Sequence, residues 1–365
     1  MKTLLLLAAA AVPFPLAEMQ TPTELGAAPV RHLLTWMPEE VRCEGTSVKA
    51  AAMLRPLTAL QWGSRDQEIA RLRYRFRIDE SGRPLSIRRH SAGVAPGSED
   101  VAPSLAASRF AAGAPRADCT IAYAPRLTLP ADSPVGDLIS YSLTPLSGKL
   151  PPEGWARIAP ETSCRIEPRP RPLAMRYPDY DRIPAAPGAK DWSMVAYDLN
   201  ASGRPIRVRT THSTGNAALD AAAVKAMRAS RFTGGARTGC GSPFARGPVA
   251  LAAPAVPEAS AQRPPDGSCP HDGGWATAPV LRYPKAYQRR SIEGWATVMF
   301  DVAPWGELGN LRVLASEPSA DFGDHALQVL RSARKQASNT GRTGCVEHVQ
   351  FKMGYGGLPP EEPGA

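Results

Sequence analysis

Six cysteines stand at 43, 119, 164, 240, 269 and 345, and the two members of each consecutive pair are 76 positions apart. Thiols that far apart in sequence form no chelating motif, and no histidine recurs beside them, so a metal site is not expected. In a chain that opens like an exported one, an even cysteine count favours disulfides. Of the 15 pairings open to six cysteines, only pairing within each interval respects the spacing. The expected bridges are Cys43 to Cys119, Cys164 to Cys240 and Cys269 to Cys345. Each closes a loop whose entropy stabilises the fold by at most about 4.5 kcal/mol. The other reactive types promise little. His90-Ser91 and His212-Ser213 follow alternating stretches, and neighbours on a strand point to opposite faces, so neither dipeptide makes a nucleophile with its base. There is no G-x-S-x-G, H-E-x-x-H or phosphate-binding loop. Catalysis, a catalytic residue and a cofactor are therefore not expected.

The cysteine spacing measures out the elements that would hold these bridges. In the first interval Leu72, Tyr74, Phe76 and Ile78 alternate with Arg71, Arg73, Arg75 and Arg77, a period of two that predicts a strand with one buried and one solvated face. Val195, Tyr197, Leu199 and Val298, Phe300, Val302 repeat the pattern, each run ending in a glycine turn at Gly82, Gly203 or Gly306. A second alternation follows 42 residues beyond the first cysteine, at Leu85, Ile206 and Leu311. The period then lengthens. Phe322, Ala326, Val329 and Leu330, like Leu219, Ala223, Ala226 and Met227, mark amphipathic helices. In the first interval Pro103 shortens the helix and Asp100 is expected to cap it. The last cysteine opens one more strand. The predicted class is α+β: three small domains, each a short antiparallel sheet with a helix on one face, in the order strand, strand, helix, strand.

The third interval also carries Arg282-Tyr283-Pro284, Ile292-Glu293-Gly294, Val298 to Val302 with Asp301, Gly306, Asn310, Val313 and the closing Val349-Gln350-Phe351-Lys352. In that order these motifs closely resemble the TonB C-terminal domain family over residues 269–356. The second interval keeps Arg176-Tyr177-Pro178, Asp198 and Gly203, and the first is the most diverged. The resemblance implies a small antiparallel sheet with helices on one face. It also implies a last strand that pairs with an extended segment of an outer-membrane receptor by adding a strand to the sheet edge. The partner-binding residues expected on that basis are His348, Val349, Gln350, Phe351, Lys352 and Met353, with Arg282, Tyr283 and Pro284.

An open edge offers unpaired backbone groups to any partner strand, and proline spoils it. Residues 348–353 contain no proline, whereas Pro243 and Pro248 are expected to break the matching stretch of the second domain, and Pro125 limits the first. Protein partners, receptors or other envelope proteins, are expected through the third domain. The competing class is an envelope scaffold whose sheets pair with one another and bind no receptor peptide. Nucleic acid is not an expected partner.

Lys2 and the apolar run Thr3 to Ala17 are too short to cross a bilayer and read as a signal peptide cleaved near Ala17, giving a periplasmic protein. The alternative is a retained inner-membrane anchor facing the periplasm. Along the chain this gives a signal peptide at 1–17, domains at 40–129, 161–249 and 268–356, proline-rich linkers at 130–160 and 250–267, and a disordered tail at 357–365. The linkers are expected to be extended and semi-rigid. Three domains stand where a TonB transducer would have its long stalk, and the leading segment lacks the histidine by which such anchors couple to their motor, so energy transduction by this chain alone is not expected. The net charge of +9 includes the arginine face at 71–77, solvated or in weak contact with anionic envelope surfaces.

Overall fold

The computed structural model describes residues 30–63, 69–93, 95–258, 262–265, 267–269 and 274–354. The apolar leader at 1–17 and the tail at 357–365 lie outside them. No helix among the described residues is long and apolar enough to cross a membrane. The architecture is mixed, with small antiparallel sheets, few helices and three disulfides, Cys43–Cys119, Cys164–Cys240 and Cys269–Cys345, each as the spacing predicted.

The first sheet is the largest. It begins at β1 (Val30–Pro38), ahead of the boundary expected at 40, and continues through β2 (Val41–Cys43), β3 (Thr46–Val48) and β5 (Ala59–Gly63). Between them β4 (Ala50–Ala52) leaves the sheet to pair elsewhere. The hairpin of β6 (Leu72–Ile78) and β7 (Pro84–Arg89) then leads through α1 (Val101–Ala107) and β8 (Arg109–Phe110), the partner of β4, into β9 (Arg116–Thr128). In β6 the apolar residues are buried and the arginines exposed in strict alternation. β9 pairs with β6 along one side. Its other side takes β2 at Cys119 and Thr120, then β1 antiparallel from Tyr123 to Thr128. Asp100 stands at the start of α1 but makes no capping bond. Its carboxylate is spent instead on Leu57 N–H and Arg290.

The segment at 130–160 is not an extended linker. It holds α2 (Val135–Leu143) and α3 (Pro152–Ile158). Leu138 and Tyr141 pack with Leu33 and Leu60 of the first sheet, while Ile139 packs with Trp192 and Met194 of the second. Burial of both helix faces outweighs the proline content that suggested an extended chain.

The second sheet follows β10 (Pro172–Ala174) and contains β11 (Asp191–Leu199) flanked by β12 (Pro205–Ser213) and β14 (Arg237–Arg246). Helix α4 (Ala217–Ala229) and β13 (Arg231–Phe232), paired to β10, lie between β12 and β14. Pro243 does not break β14: it sits opposite Met194 in the ladder. Lacking an N–H, it is tolerated because β14 is an edge strand and the missing donor faces away from β11.

The third sheet has the same arrangement. After β15 (Trp275–Thr277) and α5 (Lys285–Arg289), β16 (Gly294–Val302) runs between β17 (Leu308–Glu317) and β19 (Arg342–Phe351). Helix α6 (Ala320–Arg331) and β18 (Arg334–Lys335) connect them. Ser319 caps α6 and Asn216 caps α4 through their side-chain oxygens. At the hairpin turns, a Cβ on Gly82, Gly203 or Gly306 would lie 2.2, 1.9 or 2.1 Å from the carbonyl oxygen of Phe110, Phe232 or Lys335. The strand after each turn carries one residue with positive φ, at Ser86, Arg207 and Asn310. Asn310, not Arg312, thus matches Arg207, and the 42-residue count places the third hairpin two residues out of step.

One hydrophobic core runs through the first and third sheets, from Leu34 and Trp36 to Val349 and Phe351, while the second sheet has its own. Polar contacts reinforce the junction. Glu317 accepts from Ser86 N and, at 2.8 Å, from Arg77, and Ile87 N donates to Pro318 O at 3.0 Å. Buried Arg290 pairs with Asp100, which is 1 % exposed, and donates to the carbonyls of Arg55 (3.0 Å) and Gly188 (3.3 Å).

Candidate functional site

Strand β19 has β16 on one side, from Gly294 opposite Phe351 to Val302 opposite Arg342. Its other side is occupied only at the start. Ser268 N donates to Thr343 O at 3.0 Å, Thr343 N donates to Ser268 Oγ at 2.9 Å, and the disulfide from Cys269 holds Cys345. From Val346 onward no strand among the described residues pairs with the outer side.

One contact fixes which backbone groups face outward. Met353 N donates to Glu293 Oε1 at 2.9 Å, on the β16 side. In an antiparallel ladder the direction alternates, so the N–H groups of 351 and 349 also point to β16, and those of 350, 348 and 346 point away. Side chains alternate as well. Val349 and Phe351 are buried, Gln350 is exposed, and half-buried His348 places Nδ1 2.9 Å from Thr297 Oγ1.

The Tyr283 ring meets Phe351 edge-on at 5.8 Å between centroids, and Phe351 in turn meets Phe322 of α6 at 5.2 Å. The Tyr283 hydroxyl donates to Ile292 O at 2.7 Å and lies 3.4 Å from Phe351 O. Burial, with Glu293 nearby, pushes its pKa well up, so it remains a protonated donor. Pro284 is buried where α5 begins. The fold therefore gathers Tyr283 and Pro284 at the end of the edge formed by 348–353, of which Lys352 and Met353 already lie beyond the strand. Arg282 is exposed on a cleft of about 980 Å³ between the first sheet and α6, shared with Tyr74, Asp321 and His325. No hydrogen bond or ion pair among the described residues ties it to the edge.

Sequence reasoning missed the carboxylates that hold this edge. Glu293 spans Met353 N and, at 3.4 Å, Ala253 N. Asp301 accepts from Gly344 N at 2.9 Å and from Asn310 Nδ2 at 2.7 Å, pinning the start of β19 to the irregular turn of β17. Asp198 does the same for Gly239 (2.7 Å) and Arg207 in the second sheet. Burial opposes ionisation of Asp198, but the Gly239 N–H and Arg207 outweigh it and hold the carboxyl below its usual range. Both residues were visible as motif positions, without a signal for their role.

A small antiparallel sheet with a helix on one face and β19 at its edge is the arrangement the resemblance implied; the contact of Tyr283 with Phe351 was not part of it. Residues 279–353 match the family described as the Gram-negative bacterial TonB protein C-terminal. This segment is a TonB C-terminal domain. Over 112 residues the chain is also 30% identical to Protein TonB of Klebsiella pneumoniae, an alignment covering 31% of this chain and 46% of that protein. The chain thus spans less than half the length of that relative. Within the TonB C-terminal domain the match ends at Met353, the residue whose N–H Glu293 holds.

Proposed function

We propose that the chain is a periplasmic TonB-like protein made of three copies of one fold. In this reading the copy at 279–353 binds an extended segment of a partner protein, of the outer-membrane receptor class, by strand addition along the outer side of β19. The observation that carries this reading is β1 lying on β9. Tyr123 and Val349 each stand four residues beyond the second cysteine of their disulfide, so β1, which pairs with Tyr123 to Thr128, covers in the first copy the equivalents of 349–354, overlapping the bare outer side of β19 at 349–351. The chain's own strand provides an internal example of how such an edge is filled, and main-chain bonds supply the affinity in that mode. The recurrence of hairpin, helix and closing strand, with the same glycine demand at Gly82, Gly203 and Gly306, supports common descent of the three copies. Transfer of energy and the identity of the receptor belong to the whole machinery in which such a domain works. A scaffold reading draws on a different observation: the hairpins of the first and third sheets already meet through Glu317 and Pro318.

The test uses the full-length, oxidised protein, titrated with extended peptides from the N-terminal segments of outer-membrane receptors and followed by amide chemical shifts. Shifts centred on 346–351 are expected. His348→Pro removes an outward donor at the place where β14 natively carries Pro243, so the sheet should survive while affinity drops at least about tenfold. Unchanged affinity in that variant would exclude this edge. Absence of any shift would leave the scaffold reading.

A further inference from the structure

The solvated face of the first sheet carries a cluster of arginines, three of them without an ionic partner among the described residues. Register sets Arg75 directly opposite Arg88 on one side and Thr120 on the other, and Thr120 in turn opposite Arg42. Arg73 lies two positions along β6 on the same face, and all four arginines are exposed. Arg42 is paired with Glu40 at 2.8 Å. Among the described residues Arg73, Arg75 and Arg88 have neither an ion pair nor a side-chain hydrogen bond.

Like charges directly opposite one another weaken a sheet, so these positions favour something other than stability. The fold does not require them: the equivalent face of the third sheet carries Thr297, Met299 and Asp301. The residues beside the arginines are small: Thr120 stands between Arg42 and Arg75, Ala122 opposite Arg73 and Ser47 on the far side of Arg42, which leaves the face open around the guanidinium groups. That shape suits an extended anionic plane better than an enclosed ligand. No aromatic ring stands among them to stack a nucleic-acid base.

The geometry points to this face as a docking surface for an anionic lipid bilayer, with Arg73, Arg75 and Arg88 reaching headgroup phosphates. A guanidinium presents a planar fork of donors that matches phosphate oxygens two at a time. The envelope setting of a TonB-like protein makes headgroups the polyanion within reach, and in that one respect the inference rests on the function proposed above. Docking is peripheral, since nothing on this face inserts into the bilayer, and it leaves β19 free.

The oxidised full-length protein is mixed at low salt with vesicles of phosphatidylcholine, with and without phosphatidylglycerol, and bound protein is measured by flotation. Binding is expected only with phosphatidylglycerol and should weaken with added salt. The triple variant Arg73→Gln/Arg75→Gln/Arg88→Gln should lower partitioning about 100-fold, roughly fivefold per arginine, with a thermal midpoint no lower than wild type. A control triple, Arg209→Gln/Lys225→Gln/Arg228→Gln, removes the same charge from the second sheet and α4 and should change partitioning little. Equal loss in both triples would reduce the effect to net charge and overturn the docking face. A lowered midpoint would make the arginines structural. Arginine-dependent binding of a single-stranded oligonucleotide as tight as that of vesicles would replace the bilayer with a general polyanion. If receptor peptides fail to bind β19 while vesicles still bind, the membrane face stands without the peptide edge.

Discussion

Arg290 is the side chain on which most of the assembly converges. It leaves α5, is 7 % exposed, and spends its donors on Asp100 and on the carbonyls of Arg55 and Gly188. A buried pair of this kind adds little net stability compared with a well-packed apolar pair, because both charges lose their hydration. Breaking it is different. Arg290→Met should cost about 3–5 kcal/mol, since it strands the Asp100 carboxylate away from water, and this would appear as a lower denaturant midpoint with little change in slope. Adding Asp100→Asn keeps an acceptor for Leu57 N–H without the charge and should recover part of the loss. If the double variant were as unstable as the single one, the damage would lie in lost packing and not in the stranded charge.

Among the elements, α2 tests most sharply what the sequence conceals. Leu138 is fully buried between α2 and the strands carrying Leu33 and Leu60. Leu138→Ala should destabilise the chain by about 2–5 kcal/mol; a connecting segment without tertiary contacts would show no change in the denaturation midpoint. This helix was illegible because its stability comes from two neighbouring sheets and because prolines surround it. The strand β1 was illegible for a related reason: Leu33, Leu34, Thr35 and Trp36 are all buried, so the alternation that betrayed β6 is missing. The hairpins and α6 were legible because each has one wet face. The bare edge of β19 was not marked out by its lack of proline, since β14 is an edge strand too and carries Pro243. The direction of each backbone group on that edge was not legible, since it is set by the pairing with β16, and neither was the role of Glu293, which depends on a contact with Met353 made across 60 residues.

At the scale of the molecule, the disulfides and the cores divide the chain differently. Three bridges mark three intervals, yet Leu34, Trp36 and Phe76 share one apolar cluster with Phe300, Phe322 and Phe351, and the second sheet packs around Val195, Tyr197 and Met227 apart from it. Cooperative units follow shared burial and not covalent loops. The first and third sheets should therefore open together under native-state hydrogen exchange, with β6, β9, β16 and β19 reporting one free energy, and β11 and β14 should report another. Arg290→Met, placed at the junction, should lower the first value more than the second. Three separate free energies, one for each disulfide loop, would contradict the shared core and turn the contacts at Glu317 and Arg290 into late docking of finished parts. A single value for all strands would instead make α2 and α3 as binding as the main core, because they provide the apolar bridge from Leu33 to Trp192.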